Sequence, residues 1–319
     1  MQKNADRQQN IPSERYRSLN GYLRERFGGK LYKLALDGGM TCPNRDGTLG
    51  TRGCIFCSAG GSGEFAEKPC GSIAEQIDAA KRRVSAKTKG IVGYIAYFQS
   101  YTNTYAPVER LRELFSAAIG HPDVSVLSVA TRPDCLGDDV VELLAELNRV
   151  KPVWVELGLQ TVREDTAEYI RRGYRNDVYA DAVKRLTDAG IEVITHIIIG
   201  LPGETQEDIL CTARYAYRCG SRGVKLQLLH VLRGCDLAEE YEKGKVCVME
   251  MEEYFRILHY VLEHIPQDMI IHRLTGDGPK KLLIAPQWTA DKKNVLNSLK
   301  RYFEEKDTRQ GRYDTEESE

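Results

Sequence analysis

A chain of 319 residues with 42% hydrophobic and 29% charged residues has an ordinary soluble, globular composition, and is long enough for one large α/β domain or two smaller ones. Its formal net charge of -1 gives no bulk electrostatic sign of a nucleic-acid partner, and no window reaches 18 consecutive apolar residues, so neither a membrane span nor a secretory signal is expected. Nine cysteines, an odd number in a chain of this size, fit a reducing, cytoplasmic compartment better than a disulfide scaffold.

Taken in order, residues 1–29 read as a polar N-terminal arm, mobile to about residue 20, with a short helix at 22–27. Residues 1–35 carry eight Lys or Arg against three Asp or Glu, a charge excess that suits phosphates or simply a solvated face. A strand at 30–36 leads into a Gly-rich loop at 38–64. Beyond it Ser72 and Glu75 form a capping box before a helical stripe at 73, 77, 80 and 84. Apolar runs at 90–98, 124–130, 152–160, 191–200 and 223–232 then alternate with helical segments at 107–119, 138–149, 163–171, 177–189 and 204–219. Near-continuous apolar strands alternating with helices mean a parallel sheet covered by helices. Six βα units are too few to close an eight-stranded barrel, so the expected architecture is an open partial TIM barrel, (β/α)6, over 30–235. A C-terminal extension at 236–305 holds helices at 249–264 and 291–303 and a strand near 269–274, and 306–319 reads as a mobile acidic tail.

The loop places Cys42, Cys54 and Cys57 at C-x11-C-x2-C spacing directly after a strand. Three thiolates with no histidine among them leave one ligand position open, whether on zinc, which prefers four ligands, or on a [4Fe-4S] cluster. Zinc knuckle, iron-sulfur loop and three unrelated thiols all remain open on spacing alone. Cys135, Cys211, Cys219, Cys235 and Cys247 have no ligand spacing, and Cys70 is the least secure of the exclusions.

The segment CPNRDGTLGTRGCIFC resembles the extended cluster loop of radical S-adenosylmethionine (SAM) proteins of the YtqA/YhcC family, with the elongator catalytic subunit among wider relatives. Its first gap is longer than the usual C-x3-C-x2-C, as in that branch. The resemblance implies a radical SAM partial barrel in which Cys42, Cys54 and Cys57 hold a [4Fe-4S] cluster whose fourth iron takes SAM. It also implies reductive cleavage of SAM to a 5′-deoxyadenosyl radical, with flavodoxin or ferredoxin as electron donor.

In such barrels the site lies at the C-terminal strand ends, and polar residues gather there. Gln99 and Asn103 follow the second strand where the usual family carries a Gly-Gly-Glu segment, so they are candidates to replace it. Thr131 and Arg132 lie in an element similar to the TRPD of the elongator-like branch. Glu156 and Gln160 share one strand face with Gly158 between them, and His196 precedes the GLPGET turn that the resemblance assigns to adenine; Gln227 and His230 are weaker candidates. Arg273, Lys280 and Lys281, in a Gly/Pro-rich segment, are the candidates to meet an anionic substrate under a lid, where a plain surface turn is the alternative. The resemblance further implies tRNA as substrate, through conversion of a wobble-uridine 5-carboxymethylaminomethyl side chain to 5-aminomethyl. A small metabolite or protein side chain as substrate, and a non-enzymatic metal-binding scaffold, are the alternatives.

Overall fold

The computed structural model describes residues 14–67, 71–276 and 278–314. Along the chain come α1 (Leu19–Phe27), β1 (Lys30–Leu36), α2 (Ile73–Val84), β2 (Ile91–Phe98), α3 (Val108–Gly120), β3 (Val124–Thr131), α4 (Asp138–Asn148) and β4 (Val153–Gln160). These are followed by α5 (Glu164–Tyr169), α6 (Asn176–Asp188), β5 (Glu192–Ile199), α7 (Gln206–Cys219), β6 (Gly223–Leu228), β7 (Val231–Leu232), α8 (Asp236–Glu242), α9 (Met251–His264), β8 (Ile270–Arg273), β9 (Leu283–Ala285) and α10 (Lys292–Glu305).

Strands β1 to β6 pair side by side in chain order, every pair parallel, and the helices between them cover the outer face. Each helix starts and faces as its local sequence requires. The Ser72–Glu75 capping box forms at α2, and Thr205 with Asp208 builds another at α7. The apolar stripes of α2, α3, α4 and α6 pack onto β1–β5 in one core, while α7, α9 and α10 pack on β5, β6 and β8 in a second.

Two expectations need correction. The sheet has seven parallel strands, because β8 of the C-terminal extension pairs with β6. The sixth run breaks at Leu229–His230, and its last residues, β7, turn away to pair antiparallel with β9. The reading of 306–319 as a mobile tail also fails for the part described. Thr308 and Gln310 are buried, and the Gln310 amide donates to the Pro266 and Met269 carbonyls at 2.6 and 2.8 Å while accepting from the Arg17 N–H at 2.8 Å. Residues 14–18 are likewise tied down, since Ile271 N–H donates to Arg17 O at 2.8 Å and Ser18 bridges to Ile271. This contact covers the open edge of β8, where unpaired backbone groups would otherwise stand. Cys70, residues 1–13 and residues 315–319 lie outside the described residues. No helix among the described residues is long and apolar enough to cross a membrane.

Inside the arc the residues form layers, as the period of two along a strand demands. The bottom layer is apolar: Leu31, Ile95, Val126, Trp154 and Ile194 meet Leu23 of α1, which plugs that end. Two residues further along the same strands stand Lys33, Tyr97, Ser128, Glu156 and His196. This change from apolar to charged within a single step sets the floor of the site.

Candidate active site

The cluster loop occupies the mouth of the barrel and is fastened by its own backbone. Arg45 and Asp46 N–H groups donate to Cys42 O at 2.8 and 3.2 Å, Gly53 N–H to Asn44 O at 2.7 Å, and Cys57 N–H to Cys54 O at 3.0 Å. Outside contacts then fix its position: Ile55 N–H bonds Ile170 O at 3.1 Å, Leu237 N–H bonds Ile55 O at 2.9 Å, and Tyr101 N–H bonds Gly61 O at 2.9 Å. Gly61 has φ 59°, and a Cβ there would collide with the Tyr101 ring, so both conformation and space call for glycine. Satisfying the backbone polar groups in this way holds an irregular loop in one shape.

Cys42, Cys54 and Cys57 line one cleft of about 1000 Å³. The Asn44 amide donates to Cys54 Sγ at 3.4 Å, and the Arg45 guanidinium donates to Cys57 O and Ser58 O at 2.9 and 2.6 Å. Burial, then the neighbouring Cys57, pushes the Cys54 thiol up to about 11, and burial raises Cys57 against the opposing pull of Arg45.

Below the loop, Glu156 is fully buried and collects partners from four other strands. It accepts from Lys33 of β1 at 2.5 Å, Ser128 of β3 at 2.9 Å, and Lys225 of β6, and His196 Nε2 of β5 lies 2.7 Å from its second oxygen. Burial works to raise the Glu156 carboxyl, but Lys225, Lys33 and His196 hold it well below the ordinary range. Burial and the Lys225 charge push His196 down to about 4, so the imidazole is neutral near pH 7. Burial likewise brings Lys225 down to about 7. Glu156 lines the cleft with its carboxylate held by the layer.

The other sequence candidates separate in the same way. Thr131, Arg132, Gln160, His196, Gln99, Gln227, His230, Arg273 and Lys280 all line the cleft. Arg132 is held by a two-pronged pair with Asp134 at 2.9 and 2.7 Å and lies over the Tyr174 ring. Gln99 ties the loop to β2 through Ser62 O at 2.7 Å. Gln160 leaves the β-strand alternation, with φ 61° at a register break, so its alignment with Glu156 on one regular face does not hold. Asn103 is corrected: it is fully buried, and its amide joins Phe98 O and Ala130 O at 3.1 and 2.9 Å, clamping two strand ends rather than facing the cleft. Lys281 is exposed but does not line the cleft, whereas Lys280 does. The basic stretches are spent on surface pairs, Arg15 with Asp307, Arg26 with Glu192, and Lys81 with Asp78 and Asp123.

Lys33 and Lys225 are functional candidates that no motif signals. The available signal was a lysine at mid-strand in an otherwise apolar run, twice, at the same depth.

No group of three His, Cys, Asp or Glu side chains among the described residues could hold a single metal ion. In an iron-sulfur cubane each thiolate takes its own iron, so a trio spread around one cleft fits a cluster. The donors from Asn44 and the Arg45 charge beside the sulfurs favour bound thiolate.

The same chain matches two family descriptions, the radical SAM superfamily over residues 47–216 and the radical SAM C-terminal domain over residues 221–305. It is 47% identical to the uncharacterized protein YtqA of Bacillus subtilis, covering 94% of this chain and 93% of that one. It is also 37% identical to protein YhcC of Escherichia coli, covering 90% and 92%. A tRNA uridine(34) acetyltransferase of Methanocaldococcus jannaschii is 26% identical over 50% of this chain and 29% of its own length. Among solved structures, the archaeal Elp3 of Methanocaldococcus infernus superposes with a TM-score of 0.65 at 17% identity, covering 88% of this chain and 64% of that one. With the partial barrel, the thiol trio and these likenesses together, the chain belongs to the radical SAM superfamily of enzymes, whose cofactors are a [4Fe-4S] cluster and SAM, and within it stands beside YtqA and YhcC.

Proposed function

We propose that this protein is a radical SAM enzyme that modifies the wobble uridine of tRNA, converting a 5-carboxymethylaminomethyl side chain to 5-aminomethyl. The observation that carries the reading is the charge of the cleft. Nine lysines and arginines line it against two carboxylates, Glu64 and Glu156, in a chain whose net charge is -1. Cations concentrated in one concave site attract an anionic substrate far more than the overall balance suggests. The half-length likeness to tRNA uridine(34) acetyltransferases supports the same substrate class.

In this reading Cys42, Cys54 and Cys57 ligate the cluster, with Asn44 and Arg45 steadying the sulfurs. Thr131, Arg132, Gln160 and His196 orient SAM across the strand ends. Gln99 shapes that wall through its bond to the loop, and Asn103 keeps the ends of β2 and β3 together. Bound there, cluster and SAM supply one-electron cleavage of SAM and a carbon-centred radical for hydrogen abstraction. The chain's own task is to orient SAM and substrate and to exclude water and competing hydrogens. Arg273 and Lys280 meet the anionic substrate at the rim, with residues 278–290 as the covering segment. The reading keeps residues 30–235 as the catalytic unit with 236–305 packed on it, a cytoplasmic location, and flavodoxin or ferredoxin as electron donor.

Mass spectrometry of tRNA nucleosides from a strain lacking the protein tests it. Accumulated 5-carboxymethylaminomethyluridine is expected, and unchanged wobble nucleosides would remove the tRNA reading.

A further inference from the structure

The charged layer suggests more than a filling for the barrel. Lys33 and Lys225 share one carboxylate, each on its own oxygen of Glu156. An ammonium carries three N–H donors. Beyond Glu156, Lys33 has the Tyr97 ring at 4.6 Å, and Lys225 has the Tyr97 hydroxyl at 3.4 Å and the ring at 4.7 Å. Each lysine thus keeps at least one donor that these protein groups leave over.

A purely structural plug would be roofed by large side chains. Two residues further along the same strands, the positions above the layer include Ala35, Ala130 and Gly158, and all three line the cleft. The space beside Gly158 is taken by the Gln160 amide and the Tyr174 hydroxyl, which a Cβ would meet at 2.5 and 3.0 Å. Gln99, Ile198 and Gln227 complete that level, and beneath it the Lys33 side chain is 24% exposed and that of Lys225 8%, against 0% for Glu156. The two lysine side chains are thus more exposed to the cleft than the carboxylate they share.

We propose that the Lys33–Lys225 pair, beneath Ala35, Ala130 and Gly158, is an anion seat that receives a carboxylate group of the substrate. The inference rests on the reading of this cleft as the substrate site of the enzyme, and it shifts recognition of the anionic group from the rim to the barrel floor. A carboxylate entering the seat accepts from both ammonium groups while Glu156 keeps them in place, so no charge is left unpaired.

Calorimetric titration of the full-length protein tests the seat with two matched pairs of probes: 5-carboxymethylaminomethyluridine against 5-aminomethyluridine, and N-acetylglycine against N-acetylglycinamide. A preference of about 10- to 100-fold for each carboxylate is expected from a charge-assisted hydrogen bond. That preference should disappear in Lys33→Met and in the charge-balanced double variant Lys225→Met/Glu156→Gln, while binding of the carboxylate-free probe persists. If Lys225→Met/Glu156→Gln does not fold, Lys33→Met decides alone, since its ammonium lies at the open side of the layer. Equal affinity for carboxylate and partner in both wild-type pairs, or preference retained in the folded variants, overturns the seat. If N-acetylglycine shows the preference and the uridine carboxylate does not, the seat stands and the wobble-uridine reading falls. If neither does while wobble nucleosides still change in the deletion strain, the reverse holds.

Discussion

The cluster loop and the charged layer below it are built on opposite principles. In the loop, three cysteines, their turns and most of their hydrogen bonds come from one run of sequence between 42 and 63. In the layer, each strand from β1 to β6 contributes one residue, and the nearest two in sequence, Ser128 and Glu156, are 28 positions apart. A local device can lose its chemistry without losing the fold. A convergent one cannot, because Lys33, Lys225 and Glu156 are one another's counter-charges and the carboxylate is buried among them.

The strongest way to break this contrast is Cys54→Ala. Anaerobic SAM cleavage, read as 5′-deoxyadenosine, should fall to background, while the apoprotein's unfolding free energy stays within about 1 kcal/mol of wild type. A large loss of apoprotein stability would show that the loop is not energetically local. Glu156→Ala is expected to do the converse, costing about 3–5 kcal/mol by leaving Lys33 and Lys225 buried without their carboxylate. Urea unfolding measures it, and Glu156→Gln, which keeps the acceptor, should recover part of the loss. A change below about 1 kcal/mol would mean that the layer is well solvated.

A third test lies outside both regions, at the turn after β5. Burial pushes Glu204 up to about 7 from an ordinary 4.5. Its folded pKa lies above its unfolded one, so the stability it contributes is fully present below about pH 4.5 and is lost as pH rises through 7. Stability should therefore fall by about 1–3 kcal/mol from pH 4.5 to 8 in wild type, and Glu204→Gln should remove that part of the slope. At Gly61→Ala the left-handed residue alone costs about 1–2 kcal/mol, and the collision of the new Cβ with the Tyr101 ring adds to it. Because Gly61 holds the loop against Tyr101, reconstitution of an absorbing iron-sulfur centre should suffer more than the melting temperature does. Equal losses in both would make the loop part of the core.

How much was legible follows the same division. Strand and helix order, the capping box at Ser72 and the placing of three cysteines in one loop were readable because each depends on neighbours within a few residues. Asn103 looked like a cofactor contact because it is polar and stands after a strand, but its amide serves two backbone carbonyls. Gln160 broke the expected alternation because backbone at positive φ cannot continue a regular pleat. Lys33 and Lys225 carried no motif, since their meaning lies in what they face across the barrel.

By itself, then, the sequence determined that this chain is a parallel α/β fold with three closely spaced cysteines in a loop after its first strand, since periodicity and spacing act over short distances. Only the tertiary structure decided that β8 completes a seven-stranded arc, that 306–314 is packed down, and that two lysines share one buried carboxylate. The physical reason is that burial and charge pairing are set by which strands become neighbours, and neighbours in the barrel are separated by tens of residues along the chain.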